Sequence, residues 1–276
     1  MNITEKAIAG FEQYLIRRER EKATVKQYIR AVQRLGAWLC GREADKDMLM
    51  QYKDELKAKY APSSVNSAIA AINGFAVYME RYDLKLNFVK KQKNIFADPE
   101  RELSRKEYDA LIAAAERTHQ TRLMYMLQTI FATGIRVSEL KYITVESLET
   151  GIAEISCKGK NRRVFLSNKL RHKLTKYAKK NGIASGCIFI TRNGNPVDRS
   201  NIAKGMKRLA EIARVIKKKV FPHNLRHLFA RIYYSAHKDI ARLADILGHS
   251  SINTTRIYTM ESGAVHRRQI EQLRLV

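Results

Sequence analysis

Apolar residues recur at helical intervals along the first third of the chain. The clearest set is separated by steps of three and four, which places it on one helical face: Val25, Tyr28, Val32, Leu35 and Leu39. A second set follows the helix-starting string Pro62-Ser63-Ser64: Val65, Ile69, Ile72, Ala76 and Met79. A third face is formed by Ile8, Phe11 and Leu15, and a further helix is predicted near residues 46–59. Without strand signals between them, these patterns predict a small four-helix domain over residues 1–89.

The pattern changes after this region. Residues 90–102 are polar and charged and contain Pro99, which is typical of a linker between domains. Ser104 and Glu107 then have the spacing of a capping box, followed by apolar helix positions at Tyr108, Leu111 and Ile112. A second domain is therefore predicted over residues 103–276.

The second domain combines helical patterns with a short stretch of strand pattern. Residues 152–157 and 163–167 are predicted strands around the turn-like string Lys158-Gly159-Lys160-Asn161, and residues 187–190 are a candidate third strand. The predicted fold class is mainly α with a small β-sheet. An N-terminal four-helix domain is followed by a C-terminal mixed α/β domain.

The net charge of the chain indicates the kind of partner that it binds. The chain has 276 residues, with 52 Lys and Arg against 27 Asp and Glu, a net charge of +25. Such a surplus favours a polyanionic partner, DNA or RNA, over an acidic membrane surface. Four basic residues recur every fourth position beside the first apolar face: Lys22, Lys26, Arg30 and Arg34. We predict that they contact phosphates; the alternative is a solvated charged face.

Several classes of site are not indicated. Cys40, Cys157 and Cys187 are widely spaced and form no C-x-x-C pair, which argues against a disulfide framework and a zinc site. Neither a membrane-spanning apolar run nor a signal peptide is recognisable, so a cytoplasmic location is expected. A phosphate-binding glycine loop and a carboxylate cluster for Mg²⁺ are also missing from the pattern, so no ATP, metal or other cofactor is implied.

Three short strings carry the candidate chemistry: Gly134-Ile135-Arg136, Pro222-His223-Asn224-Leu225-Arg226-His227, and Leu247-Gly248-His249 with Tyr258 nine residues later. Two guanidiniums that stay protonated can clamp a phosphate, and imidazoles exchange protons near neutral pH. A phenol becomes a nucleophile once it is oriented and its proton is removed. The set fits attack of a tyrosine on a phosphodiester, which would form a covalent phosphotyrosine.

Local signals suggest how these residues are presented. Gly134 and Gly248 each follow an apolar helical pattern and are expected to end a helix, while Pro222 is expected to begin one. Glu139 lies three residues after Arg136 and is expected to orient it. Taken alone, Arg136 could form a purely structural pair with Glu139, and Tyr258 could be a packing residue, since the chain has 13 tyrosines.

With Lys158 in the predicted turn, these strings resemble the tyrosine recombinases, also called the phage-integrase family. The family pattern is T-G-x-R-x-x-E-L, a hairpin Lys, H-x-x-R, L-G-H and Tyr, and it covers about residues 102–260 here. The resemblance implies a core-binding (SAM-like) first domain and a catalytic second domain. It also implies that the catalytic residues are Arg136, Lys158, His223, Arg226, His249 and the nucleophile Tyr258.

The resemblance further implies a mechanism. Tyr258 forms a 3′-phosphotyrosine with DNA, Arg136, Arg226 and His249 stabilise the phosphate charge, His223 assists proton removal, and Lys158 protonates the leaving 5′ oxygen. Two rounds of exchange pass through a Holliday junction without metal or ATP. Lys160, Arg162 and Arg163 are expected to contact DNA, and Lys160 is the alternative to Lys158 as the acid. Many relatives have proline near the end of this string, where this chain has Phe165-Leu166-Ser167.

The implied partners are double-stranded DNA with paired inverted-repeat core sites and three further copies of the chain. The predicted tail helix, residues 263–276, has Ile270 and Leu273 on one face and is expected to dock on the next copy in a ring of four; alternatives are a frayed end or packing on its own domain. Only about 90 residues precede the linker, so no arm-site-binding domain is expected. An integrase or transposase of a mobile element is the favoured role. Alternatives are an Xer-type resolvase, a type IB topoisomerase and an inactive DNA-binding module.

Overall fold

The computed structural model describes residues 1–90, 98, 100–157, 160–259 and 263–273. It divides into two compact units, Met1–Lys93 and Asn94–Val276. The predicted class, mainly α with a small sheet, is confirmed. Most of the predicted linker lies outside the described residues, so the predicted domain boundaries stay predictions. No helix in the described ranges is both long and apolar enough to cross a membrane.

The first unit consists of four helices, which confirms the helical pattern of the sequence: α1 (Glu5–Arg17), α2 (Lys22–Leu39), α3 (Lys46–Lys59) and α4 (Pro62–Tyr78). Thr4 and Asp45 cap α1 and α3, because their side-chain oxygens accept hydrogen bonds from backbone N–H groups in the first turn. Proline occupies the first turn of α4, where its missing N–H costs no hydrogen bond.

The predicted apolar faces form the core of this unit. Val32 and Leu35 of α2 and Ile69 and Ile72 of α4 are buried together, and Phe11 of α1 contacts the Phe75 ring edge-on at 5.2 Å between centroids. The basic stripe on α2 lies outside this core, and all four of its side chains are exposed: Lys22, Lys26, Arg30 and Arg34.

The second unit contains the remaining elements: α5 (Arg105–Arg117), α6 (Thr121–Thr133), α7 (Val145–Thr150), β1 (Ile152–Cys157), β2 (Lys160–Phe165), α8 (Asn168–Lys180), α9 (Arg199–Ile212), α10 (Pro222–His237), α11 (Ile240–Leu247), α12 (Ile252–Thr255) and α13 (Gly263–Gln272). The capping box of Ser104 and Glu107 is present at the start of α5. Leu127 and Ile130 of α6 are fully buried in a core that includes residues from α5 through α10. Thus α6 is a central helix, and its C-terminal end borders the candidate site.

The sheet differs from the prediction in two respects. β1 pairs with β2 in antiparallel register from Ile152 opposite Phe165 to Cys157 opposite Lys160, so the second strand begins and ends earlier than residues 163–167. Backbone pairing continues into residues whose polar side chains resemble a turn. The candidate third strand is wrong for the described residues, where Cys187 and Ile190 form only isolated bridges to Thr144 and Pro196.

Candidate active site

The three predicted strings meet where α6 ends. Gly134 ends α6 with a positive φ of 66°, a conformation that glycine adopts without strain. A Cβ atom at Gly134 would lie 2.4 Å from the Phe229 ring of α10, so a larger residue would push α10 away. Gly248 ends α11 in the same left-handed conformation, with a φ of 65°. The two predicted glycine termini are therefore confirmed, as is the start of α10 at Pro222.

Arg226 connects these chain segments. It projects from α10, is 1% exposed, and donates at 2.7 Å to the carbonyl oxygens of Gly134 and Leu247. Its third partner is Nε2 of His249 at 3.0 Å. Burial, and next the nearby charge of Arg136, lower the pKa of Arg226 to about 10, so it remains a cation at neutral pH.

The surroundings of Arg226 leave its charge without a direct counter-ion. Its three hydrogen-bond partners among the described residues are two carbonyl oxygens and an imidazole, and its Nε has no partner there. A buried cation is costly unless it is paired. The geometry therefore favours the arrival of an anion at this point.

His249 is held in a defined tautomer by its two partners. A guanidinium only donates, so Nε2 of His249 must accept from Arg226. The proton is then on Nδ1, which donates to Oγ1 of the buried Thr255 at 2.8 Å. Burial, followed by the charges of Arg226 and Arg136, lowers the pKa of His249 to about 4, which agrees with a neutral ring.

Arg136 lies at the start of a 3₁₀ turn, Val137–Tyr142, and its guanidinium is 41% exposed. Glu139, which is 1% exposed, accepts from the Arg136 backbone N–H at 2.7 Å and from its guanidinium at 2.9 Å. The expected contact between these two residues is therefore present. This contact occupies one terminal nitrogen of the Arg136 guanidinium and leaves the rest of the guanidinium facing the surface.

The imidazoles of α10 lie in a row with the candidate nucleophile. The ring of His227 contacts the His223 ring at 4.6 Å and the Tyr258 ring at 4.7 Å between centroids, both edge-on. His223 is accessible, yet partial loss of water around its ring and the charges of Arg226 and Arg136 lower its pKa. Burial, and then His223, lower the pKa of His227 to about 4.

His227 was not among the predicted site residues. The signal was available, because His227 follows His223 by four positions and both therefore lie on the same side of α10. Its Nε2 is buried without a hydrogen-bond partner in the described residues. Thr255, the partner of His249, was also missed as a site residue, although it lies in the string that leads to Tyr258.

Tyr258 ends a 3₁₀ turn, Arg256–Tyr258, which directly follows α12. Its side chain is 3% exposed and packs with Ala230, Leu243 and Leu247. The ring also stacks near His249 at 6.0 Å between centroids. Tyr258 therefore both packs in a small core and lies beside the imidazoles.

The basic residues of the hairpin have different environments. Lys158 and the side chain of Lys160 lie outside the described residues. Arg163 is 70% exposed and forms a surface pair with Glu154 at 3.4 Å. Arg162 is 13% exposed and donates to Glu139 at 2.5 Å. Strand alternation turns Arg162 inward, and its predicted contact with DNA stays a prediction.

Cavity size does not locate this cluster. A cleft of about 650 Å³ lies elsewhere in the second unit, and Arg122, Tyr177, Lys180 and Asn201 are among the residues that line it. The described residues contain no group of three or more His, Cys, Asp or Glu that could hold a metal ion. The cluster itself combines fixed cations, imidazoles and a phenol, which can bind an anionic oxygen and move a proton.

Comparison with known proteins shows the family and the fold of the chain. Residues 101–263 match the family model described as the phage integrase family. The tyrosine recombinase XerD of Xanthomonas campestris pv. campestris is 29% identical over 269 residues, covering 87% of this chain and 82% of its own length. The crystal structure of XerH bound to difH substrate has a TM-score of 0.70 at 20% identity, covering 92% of this chain and 82% of its own. The Tn1549 transposon integrase in complex with transposon right end DNA has a TM-score of 0.73 at 16% identity, covering 99% of both chains. At these identities the two structures show a shared fold.

Proposed function

The chain belongs to the phage integrase family of tyrosine recombinases, and we propose that it cuts and rejoins double-stranded DNA at specific sites through a 3′-phosphotyrosine. The observation that carries this proposal is the buried Arg226, which lacks a direct counter-ion among the described residues and is linked through His249 to the ring of Tyr258. An anion bound at Arg226 would therefore lie close to the Tyr258 ring. The similarity to the Tn1549 transposon integrase, whose solved structure is in complex with transposon right end DNA, supports a DNA phosphate as that anion.

The proposed cleavage step divides the roles of nucleophile, base, acid and charge stabilisation among five side chains. The Tyr258 oxygen attacks the scissile phosphorus, and the bond from phosphorus to the 5′ oxygen breaks. His223, whose lowered pKa keeps it a free base at neutral pH, takes the phenol proton. Lys158 donates a proton to the leaving 5′ oxygen. Arg136 and Arg226 stabilise the negative charge on the non-bridging oxygens.

His249 has a double role in this proposal. Its Nε2 accepts from Arg226 and so holds the guanidinium in place. A bound phosphate would favour protonation of the ring, because an adjacent anion raises the pKa of a base. A protonated ring has no lone pair to accept with, so Nε2 would give up its hydrogen bond from Arg226 and donate to the phosphate instead.

The covalent link conserves the energy of the phosphodiester bond. A 5′-hydroxyl from a partner strand can attack the phosphotyrosine, reform the DNA backbone and release Tyr258. We propose that two such rounds proceed through a Holliday junction without ATP or metal. Covalent trapping tests the reaction directly: the protein is incubated with a pool of nicked duplexes containing the inverted repeats beside its gene, and DNA retained after SDS treatment is sequenced.

We favour an integrase or transposase of a mobile element as the biological role. The similarity to the Tn1549 transposon integrase, over 99% of this chain, supports this role. An Xer-type resolvase is the second candidate, favoured by the XerD relative. The trapped sequences separate them, because element ends indicate integration and a single chromosomal site indicates resolution.

We expect the basic stripe of α2 to contribute to the salt dependence of DNA binding. Replacing Lys22, Lys26, Arg30 and Arg34 by Gln should lower the log–log salt slope by about 0.9 for each phosphate that the protein no longer neutralises. The matched control replaces four cations that already pair with carboxylates, namely Lys57, Lys59, Arg81 and Lys217. Equal slopes for the two variants, measured by titration in KCl, would show that net charge alone drives binding.

The tail is proposed to join copies of the chain on DNA. Ile270 is 55% exposed and Leu273 is 61% exposed at the end of α13, so apolar area is available for a neighbouring copy. A head-to-tail contact of this kind can close a ring of four. We expect deletion of residues 265–276, or the double change Ile270→Ser and Leu273→Ser, to weaken synapsis and recombination but preserve single-site binding. The exposed Arg267 and Arg268, both changed to Gln, provide the control in a two-site assay, and unimpaired recombination by the apolar variant would exclude this contact.

A further inference from the structure

Arg162 occupies an unusual position for a basic residue of a surface hairpin. Alternate residues of a strand point to opposite faces. On β2, Val164 is buried while Arg163 and Phe165 are exposed, so Arg162 lies on the buried face. Its cross-strand partner Ile155 is also buried, at 2% exposure. The charged group is therefore directed into the second unit.

The Arg162 guanidinium connects two parts of the candidate site. One nitrogen donates to Oε2 of Glu139 at 2.5 Å, and the other donates to the carbonyl oxygen of Ile246 near the end of α11. The Arg162 side chain also passes directly over Gly248, where a Cβ atom would lie only 2.6 Å from its Cδ. Arg162 thus connects the turn that bears Arg136 with the segment that leads to His249.

Charge balance suggests what this connection does. Glu139 is almost completely buried and, among the described residues, has two cationic partners, Arg136 and Arg162. A buried carboxylate without a partner is costly. If Arg162 were absent, Arg136 would be the one cation paired with Glu139 among the described residues. Arg136 would then be held more firmly by Glu139 and would be less available to a phosphate.

We propose that Arg162 is a positioning residue that neutralises Glu139 and thereby leaves the Arg136 guanidinium free to bind the scissile phosphate. Its link to Ile246 holds the segment before His249 at the same time. This inference rests on the proposed recombinase function. In this proposal Arg162 promotes phosphate binding through Arg136, in place of the direct DNA contact expected from the sequence.

The experiment compares Arg162→Ala with Arg105→Ala, which removes the same group from an exposed position where it pairs with Asp109 at 3.0 Å. Single-turnover formation of the Tyr258–DNA adduct is measured on a normal nicked duplex and on a duplex with a methylphosphonate at the scissile position. A methylphosphonate lacks the phosphate charge, so the rate of its cleavage depends less on a guanidinium that neutralises this charge. Circular dichroism melting establishes that each variant is folded at the assay temperature.

We expect Arg162→Ala to slow adduct formation by about 10²-fold on normal DNA, as for removal of a charge-stabilising donor. On the methylphosphonate the defect should shrink to about tenfold or less. Arg105→Ala should change neither rate by more than about twofold, because exposed ion pairs contribute little. Arg162→Lys should restore only part of the rate, because an ammonium lacks the planar fork.

A second substitution tests the charge argument itself. Adding Glu139→Gln to Arg162→Ala removes the carboxylate that would retain Arg136, so the double variant should be faster than Arg162→Ala alone. Equal defects on both substrates, or a double variant slower than Arg162→Ala, would overturn the inference. If the wild-type protein forms no covalent adduct with any duplex of the pool, the proposed function is overturned instead.

Discussion

Substitution of Tyr258 by Phe is expected to abolish the covalent protein–DNA adduct while leaving DNA affinity nearly unchanged. The missing hydroxyl is the proposed nucleophile, so no other atom can replace it in the reaction. The ring packs with Ala230, Leu243 and Leu247, and phenylalanine fills the same apolar space. Affinity is expected to persist because phosphate contacts made elsewhere position the protein on DNA.

The measurement is an SDS-resistant band on a nicked duplex, with a mobility-shift titration of the same variant. Tyr233→Phe is the matched control, since Tyr233 also packs against the Tyr258 cluster and loses the same hydroxyl. This control should form the adduct at the wild-type rate. Persistence of the adduct in Tyr258→Phe would reject Tyr258 as the nucleophile.

Substitution of Arg226 by Lys is expected to reduce the rate of adduct formation by about 10²- to 10³-fold, the usual cost of removing a donor that stabilises transition-state charge. The charge is preserved, but one ammonium cannot reproduce the guanidinium contacts with Gly134, Leu247 and His249. His249 would lose its hydrogen-bond donor as well. Arg226→Lys should therefore slow adduct formation more than an Arg-to-Lys change at an exposed position.

Arg231→Lys provides the control on the same helix. Arg231 also forms several contacts, with the Glu102 carboxylate at 2.6 Å and the Leu103 carbonyl at 2.5 Å, and neither partner is a predicted catalytic residue. Its substitution should lower thermal stability more than it changes the single-turnover rate. If Arg226→Lys and Arg231→Lys slow cleavage equally, the slower rate reflects packing of α10 and not phosphate stabilisation.

Local signals account for the parts that were predicted from the sequence. The capping box at Ser104 and Glu107, the helix start at Pro222 and the helix ends at Gly134 and Gly248 depend on a few neighbouring residues. Apolar periodicity likewise indicated the helices of the first unit, because burial of one face requires steps of three and four. The contact between Arg136 and Glu139 could also be predicted from the sequence, because only three positions separate the two residues.

The sequence by itself determined the helices of the first unit, several helix ends of the second and the candidates for the reactive side chains, because these depend on local backbone preferences and residue chemistry. Only the tertiary structure decided which partners these side chains acquire. Arg162 pairs with Glu139, 23 positions away, because strand pairing turns it inward. His249 accepts from Arg226, also 23 positions away, because α6, α10 and α11 pack at Gly134 and Gly248. Such contacts depend on packing between distant segments, which local patterns do not specify.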